Sequence, residues 1–363
     1  MQEHFGDWLV RPVGWRVKLA SFERSIALDS LFGPAYYHPV ALSYALGDTA
    51  RARHFAAAAI RLNPQSVQSR GFQAVHRLLV LRDSTSQARL LDTLPEDAAF
   101  EAYAVVERWL EPAKYAVQIG RHFLPHRESF APYALPHALA LRGHLRAALD
   151  APEAAPPFML YPEAASLGVL PAKRATIVFG QWLQDRPLYW NVNTLRWWSM
   201  RRDTLPILRF IRRVESSGGT SHDDSLRSDQ MLTLARANLA LARGDTSAAL
   251  LAYEHISNAR CPWWCQNDLL AAARLLSAQE RFEEAERILS MPPTLEGEVP
   301  PRPSDVLWIL ERGRIAELLG KPKRALEAFR YVANAWREAD PELDSYVAEA
   351  RKAAARLAWP ARP

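Results

Sequence analysis

A short pattern recurs along this sequence at an interval of 34 residues. Residues 27–30 (Ala-Leu-Asp-Ser) correspond to residues 61–64 (Arg-Leu-Asn-Pro). A frame of 34 positions over residues 33–66 also fits three later windows, which begin at Gln230, Gln266 and Val306. An interval of this length holds two helices and a turn, but it is too short for an independent domain. We therefore predict that the chain builds its core by stacking helix pairs.

Two positions of the frame hold small residues. Position 20 is alanine in all four windows, at Ala52, Ala249, Ala285 and Ala325. Position 8 is Val40, Ala237, Ala273 and Gly313. Small side chains allow two helices to approach closely, whereas large ones would overpack the crossing. We therefore predict that these residues are buried where the first helix of each pair crosses the second.

The turn between the two helices falls at positions 15 and 16. These positions hold Gly47-Asp48, Gly244-Asp245, Glu280-Arg281 and Gly320-Lys321, and Arg202-Asp203 has the same character. Glycine adopts the left-handed conformation that ends a helix, and aspartate accepts hydrogen bonds at the start of the next one. The pattern thus predicts a tight turn in each pair.

These windows resemble tetratricopeptide repeats. The resemblance implies an all-α fold, a right-handed superhelical solenoid of antiparallel helix pairs with a C-terminal capping helix. Residues 339–343 and 346–351 also resemble the end of the helical-repeat regions behind bacterial serine/threonine kinase or transcriptional-activator domains. That second resemblance implies a regulatory or partner-binding role in bacterial signalling. The chain lacks the glycine-rich loop and catalytic loop of a kinase.

Prolines divide the predicted solenoid. Residues 1–150 are predicted to form N-terminal helical repeats, and 173–363 to form C-terminal repeats with the capping helix. Between them, residues 151–172 contain five prolines that we expect to interrupt helices. We treat the whole as one continuous solenoid, because each unit of such a fold needs only its neighbours.

The resemblance implies that the first helix of each pair lines a concave groove. Position 9 of the last three windows holds Asn238, Arg274 and Arg314, and position 5 holds Leu234, Leu270 and Leu310. A row of hydrogen-bond donors beside a row of leucines is suited to an extended peptide or an acidic segment. The open alternative is that these arginines only pair with Glu317 or other nearby acids. We expect a non-enzymatic module that binds a protein or peptide partner.

A basic patch lies in residues 196–213. It comprises Arg196, Arg201, Arg202, Arg209, Arg212 and Arg213. The whole chain carries a net charge of only +5, so this segment concentrates positive charge. Solvated helix faces commonly have this composition. The alternative function is a regulatory arm of a transcriptional activator that contacts nucleic acid here, although we do not expect nucleic acid to be the partner.

The chain has two cysteines, Cys261 and Cys265, at the start of a predicted repeat helix. Their spacing differs from the thioredoxin type by one residue. Buried thiols and a reversible disulfide both remain open. We expect the pair to be close enough to cross-link but reduced, as is typical of cytosolic proteins.

Other sequence features argue against several function classes. No run of about 18 or more apolar residues occurs, so we expect no membrane span. Residues 1–18 lack the apolar run of a signal peptide, so we expect a cytoplasmic protein unless an upstream segment exports it. His122 and His126 have metal-ligand spacing, but Pro125 would break their helix. We expect no catalytic residues, metal or cofactor; a helical enzyme using the region 122–144 is the least favoured alternative.

Overall fold

In a computed structural model of the chain, the described residues form helices joined by turns and short connecting segments. These are residues 13–45, 48–80, 89, 93, 136, 139–150, 157–217, 222–258, 265–290 and 302–358, and they contain no strand. The α-helices are α1 Val13–Leu28, α2 Tyr37–Ala45, α3 Thr49–Leu62, α4 Val67–Val80, α5 Leu145–Asp150, α6 Pro157–Ser166, α7 Ala172–Asp185, α8 Leu188–Val192, α9 Leu195–Met200, α10 Thr204–Ser216, α11 His222–Arg243, α12 Thr246–Asn258, α13 Gln266–Ala278, α14 Phe282–Leu289, α15 Pro303–Leu318, α16 Pro322–Ala335 and α17 Asp344–Ala358. Short 3-10 helices cover Gly33–Tyr36 and Pro341–Leu343.

The chain divides into two compact units. The first comprises residues 1–155 and 294–303, and the second comprises 156–293 and 304–363. In the first unit, α2 packs on α3 and α3 packs on α4. In the second unit, consecutive helices pack along the chain, including α10 on α11, α11 on α12, α12 on α13, and α13 on α14. The packing of chain neighbours is the arrangement expected of a helical-repeat protein.

The predicted turns are present in the second unit. Gly244 has φ of 81° and Gly320 has φ of 67°, and each follows the first helix of its pair. The equivalent residue of the third window, Glu280, is also left-handed at 61°, as is Arg202 at 56° in the additional predicted turn. Left-handed φ is uncommon for residues with a β-carbon. Its presence at four equivalent places confirms that these positions end the first helices.

Aspartates cap three of the helices that begin at predicted turns. Asp48 Oδ1 accepts from the amide of Arg51 at 2.9 Å, and Asp245 Oδ1 accepts from the amide of Ala248 at 2.9 Å. Asp203 Oδ1 accepts from the amide of Leu205 at 3.3 Å. These contacts satisfy amides that have no partner within their own helix. The capping predicted from the turn residues is therefore confirmed.

The four predicted alanines lie in the core. Ala52, Ala249, Ala285 and Ala325 are all fully buried. At position 8 of the fourth window, a β-carbon on Gly313 of α15 would lie 3.1 Å from Phe329 Cε1 and 3.2 Å from Ala328 Cβ of α16. The burial predicted for these positions is confirmed, and the fourth crossing leaves little room for a side chain.

Helix α6 lies within the segment in which we expected prolines to interrupt helices. Pro157 occupies its first position, where the missing amide hydrogen has no intrahelical partner to lose. Pro162 stands inside the helix, and its carbonyl accepts from Ser166 Oγ at 2.8 Å. Glu163 of the same helix accepts from the amide and hydroxyl of Ser304, each at 2.9 Å, near the start of α15. The prolines therefore do not prevent a helix there, and this helix caps a distant one.

An aromatic cluster fills the core between α7 and α9. Phe179 contacts Trp182, Trp197 and Trp198, with ring centroids 5.3 to 6.3 Å apart. Trp182 in turn contacts Tyr161 of α6 and Trp190 of α8. Edge-to-face and tilted aromatic pairs at these distances add to the stabilisation from burial. The cluster therefore joins four short helices at the start of the second unit.

Two glycines allow the close crossing to be tested. Gly313→Val should lower the free energy of unfolding by about 1–3 kcal/mol, because the added atoms would overlap Phe329 and Ala328. Gly180→Ala in α7 is the control, because no atom lies within 4 Å of its added β-carbon. That change should raise the free energy of unfolding by about 0.5–1 kcal/mol, because alanine has a higher helix propensity than glycine. Urea unfolding monitored by tryptophan fluorescence measures both changes; a Gly313→Val protein as stable as wild type contradicts the crossing.

Candidate functional site

Four charged side chains of alternating sign form a row across three helices of the second unit. We call this row the charge ladder: Arg274 of α13, Glu311 and Arg314 of α15, and Glu349 of α17. Glu311 Oε2 accepts from Arg274 Nε at 3.1 Å and from Arg314 Nη1 at 2.8 Å. Arg314 also donates to both oxygens of Glu349, at 2.7 and 2.6 Å. Such two-point contacts fix orientation as well as charge.

Burial differs among the members of the charge ladder. The Glu311 side chain is only 5% exposed, whereas those of Arg274 and Arg314 are 35% and 31% exposed. Contact with Glu349 and Glu311 raises the pKa of Arg314, although partial desolvation opposes this. Glu311 is thus a nearly buried anion held by two arginines, which are accessible from one side.

Arg274 and Arg314 differ in how many of their guanidinium nitrogens donate hydrogen bonds. Arg314 donates from Nε, Nη1 and Nη2 to glutamates. Arg274 donates only from Nε, and among the described residues its two terminal amino groups have no hydrogen-bond partner. Arg274 can therefore accept a further carboxylate or carbonyl without losing its internal contact. The alternative of pairing with nearby acids is therefore found at Arg314 and, through Nε alone, at Arg274, although the acids are Glu311 and Glu349 and not Glu317.

The other predicted groove residues lie in the core. Leu234, Leu270 and Leu310 are buried and cannot present apolar area to a partner. Asn238 is also fully buried, because its short side chain turns towards the next helix pair. The structure therefore keeps only Arg274 and Arg314, of the six predicted groove residues, at an accessible surface.

Asn238 belongs to a buried polar cluster around Asp268. Asp268 Oδ1 accepts from Asn238 Nδ2 at 2.6 Å and from the Tyr253 hydroxyl at 3.1 Å. Burial raises the pKa of Asp268 to about 6, although Asn238, Tyr253 and the charge of Arg196 favour its ionised form. Burial and then Asp268 raise the pKa of Tyr253 well above its ordinary value. Asp268 therefore links α11, α12 and α13 through a buried carboxyl group whose pKa is raised above its ordinary value.

The basic patch is only partly available at the surface. Arg213 donates to the carbonyl of Leu183 at 2.9 Å, and Arg196 lies close enough to Asp268 to favour its charged form. The other four arginines are exposed and, in the described part of the chain, make no ion pair: Arg201, Arg202, Arg209 and Arg212. Of these, Arg201 stacks over the ring of Trp197, 5.2 Å from its centroid. The accessible patch is therefore smaller than the sequence indicated.

Cys265 is disulfide-bonded and buried immediately before α13. Cys261, the other cysteine of the sequence, lies outside the described residues. The expectation of a reduced Cys265 is therefore wrong. Disulfides are rare in cytosolic proteins, so this observation weighs against the cytoplasmic localisation, which stays a prediction.

Contacts between successive helix pairs recur at similar sequence separations. Arg274 to Glu311 spans 37 residues, Arg314 to Glu349 spans 35, and Lys321 to Glu286 spans 35. These separations match the length of one helix pair and its turns. The glutamates were missed as site residues because the register between pairs depends on stacking. One local signal was present, since Glu311 precedes Arg314 by three residues and so shares its helix face.

The described residues hold no group of three or more His, Cys, Asp or Glu side chains that could bind a metal ion. His122 and His126 lie outside these residues. No helix in the described part of the chain is long and apolar enough to cross a membrane. No protein-family model matches the sequence, and no curated protein matches it significantly.

Proposed function

We propose that this chain is a non-enzymatic protein-interaction module of the tetratricopeptide type, in which the charge ladder binds an acidic or extended segment of a protein partner. In this proposal the helix pairs form a right-handed solenoid, and α13 and α15 line its concave groove. The four predicted turns, the buried alanines and the contacts at about one repeat length support the repeat assignment.

The functional proposal rests on Arg274, whose guanidinium donates a hydrogen bond from Nε only. Its terminal amino groups lack a partner among the described residues, and its side chain is a third exposed. The hydrogen bond from Nε to Glu311 orients the guanidinium. The edge formed by Nη1 and Nη2, which has two parallel donors, remains available to a ligand. Arginine donors in this arrangement suit carboxylates and backbone carbonyls. The charge ladder therefore supplies one oriented binding group and a rigid support behind it.

Arg274→Gln should weaken partner binding without destabilising the fold. Glu311 keeps its contact with Arg314 in this variant, so no buried charge loses its only partner. Loss of a charge-assisted contact should reduce the binding free energy by about 1.5–3 kcal/mol, or roughly 10- to 150-fold in Kd. Partners captured from the native lysate on immobilised wild-type protein are identified, purified and titrated against both proteins.

Arg287→Gln serves as the matched control, because Arg287 is a largely exposed arginine on α14 outside the charge ladder. It should bind the partner as wild type does. If Arg274→Gln binds the recovered partner as tightly as wild type, the charge ladder is not the site. The four exposed arginines of the basic patch then become the candidate, and salt-dependent binding of duplex DNA tests their role.

A further inference from the structure

A pocket of about 480 Å³ lies between α14, α15 and α16. Leu289 of α14 and Ile309 and Ile315 of α15 contribute apolar surface, and Arg312 and Arg324 contribute positive charge. Arg312 and Arg314 stand about 200° apart around α15, because successive residues rotate by about 100°. The pocket and the charge ladder therefore lie on opposite sides of this helix.

The charges around the pocket are unevenly paired. Both oxygens of Glu286 accept from Lys321 Nζ, at 2.6 and 2.5 Å, and Glu286 also lies 3.6 Å from Arg324. Arg312 makes no hydrogen bond or ion pair within the described part of the chain. Glu327 adds a second carboxylate, so the lining itself holds two arginines and two glutamates, and Lys321 pairs with Glu286 from outside the lining. Because Lys321 already holds Glu286, Arg312 is the cation of the lining that remains available to a bound anion.

Arg312 is exposed to solvent, but it shares the pocket lining with a second arginine, Arg324. Surrounding protein atoms lower the pKa of its guanidinium, and the nearby charge of Arg324 lowers it further, while Glu286 partly compensates. An anion placed between the two arginines would offset both effects. A planar carboxylate matches the paired donors of a guanidinium better than a spherical ion does.

We propose that this pocket binds a small monocarboxylate with an aliphatic chain, whose carboxylate pairs with Arg312 and whose chain packs on Leu289, Ile309 and Ile315. The pocket volume is within the range of about 300–1,000 Å³ that is typical of small-molecule sites. Its apolar lining is mostly aliphatic and suits a hydrocarbon chain. This site is independent of the charge ladder and of any protein partner bound there.

Octanoate, used below its micellar concentration, is the probe, and isothermal titration calorimetry on the full chain measures its Kd. Wild type should bind octanoate, and Arg312→Gln should raise the Kd by about tenfold or more. Arg330→Gln is the matched control, because Arg330 is exposed on α16 but does not line the pocket; its Kd should equal that of wild type. Octan-1-ol, which has the same chain without the charge, should bind at least about tenfold more weakly.

Several results would overturn the proposal. These are a wild-type protein that does not bind octanoate, an Arg312→Gln protein that binds it as tightly as wild type, and equal binding of octan-1-ol. Equal weakening by Arg330→Gln would also overturn it, because the effect would then reflect net charge. Thermal unfolding of each variant establishes that it is folded, which is expected because both arginines are exposed.

Discussion

Trp308→Ala should lower the free energy of unfolding by about 3–5 kcal/mol. Trp308 of α15 is fully buried, and its indole Nε1 donates to the carbonyl of Leu289, the last residue of α14, at 3.2 Å. The side chain therefore joins two successive helix pairs. In a repeat protein, stability depends on such nearest-neighbour interfaces. We expect the variant to unfold in two separated transitions, because the last pair and α17 lose their coupling to the preceding pairs.

Trp308→Phe separates packing from hydrogen bonding. Phenylalanine retains most of the apolar ring but leaves the Leu289 carbonyl without this donor, so the loss should be about 1–2 kcal/mol. Urea unfolding followed by circular dichroism measures both variants. A Trp308→Ala protein that unfolds in one transition, with a loss below about 1 kcal/mol, would show that this tryptophan does not couple the pairs.

Local features of the fold could be predicted because they depend on residues close in sequence. Gly244 and Gly320 end helices by adopting left-handed φ, and Asp245 caps the helix that follows. Each of these effects acts within one turn of backbone. Ala285 is buried, as its position in the recurring sequence frame predicts. Pattern and propensity therefore agree for these elements.

The site could be predicted only in part, because its partners come from different helix pairs. Arg274 was identified from its register, but its contact with Glu311 depends on how α13 stacks on α15. Asn238 has the same register as Arg274, yet its shorter side chain pairs with buried Asp268 instead. Register places a residue on a helix face, whereas side-chain length and the neighbouring pair decide whether it contacts solvent or core.

Asp268→Asn should change the dependence of stability on pH. The folded-state pKa of Asp268 is about 6, above the ordinary value of 3.8. Between these values the folded protein keeps a proton that the unfolded chain has lost. The contribution of Asp268 to stability is therefore most favourable below pH 3.8 and falls as pH rises towards 6 and slightly above. A shift of about two units corresponds to about 3 kcal/mol.

The difference in unfolding free energy between wild type and Asp268→Asn isolates this contribution, because other titrating groups cancel. Asparagine keeps an oxygen that can accept from Asn238 and Tyr253 but carries no charge. We expect the variant to gain stability relative to wild type, by up to about 3 kcal/mol, as pH rises from about 4 to 7. Tyr253→Phe removes a donor that favours the ionised carboxylate, so it should raise the folded-state pKa of Asp268 and extend the upper edge of this pH window. Urea unfolding at intervals across this range measures all three proteins. A difference that stays constant with pH would show that Asp268 has the same affinity for its proton in the folded and unfolded chain, and that the cluster tolerates its charge.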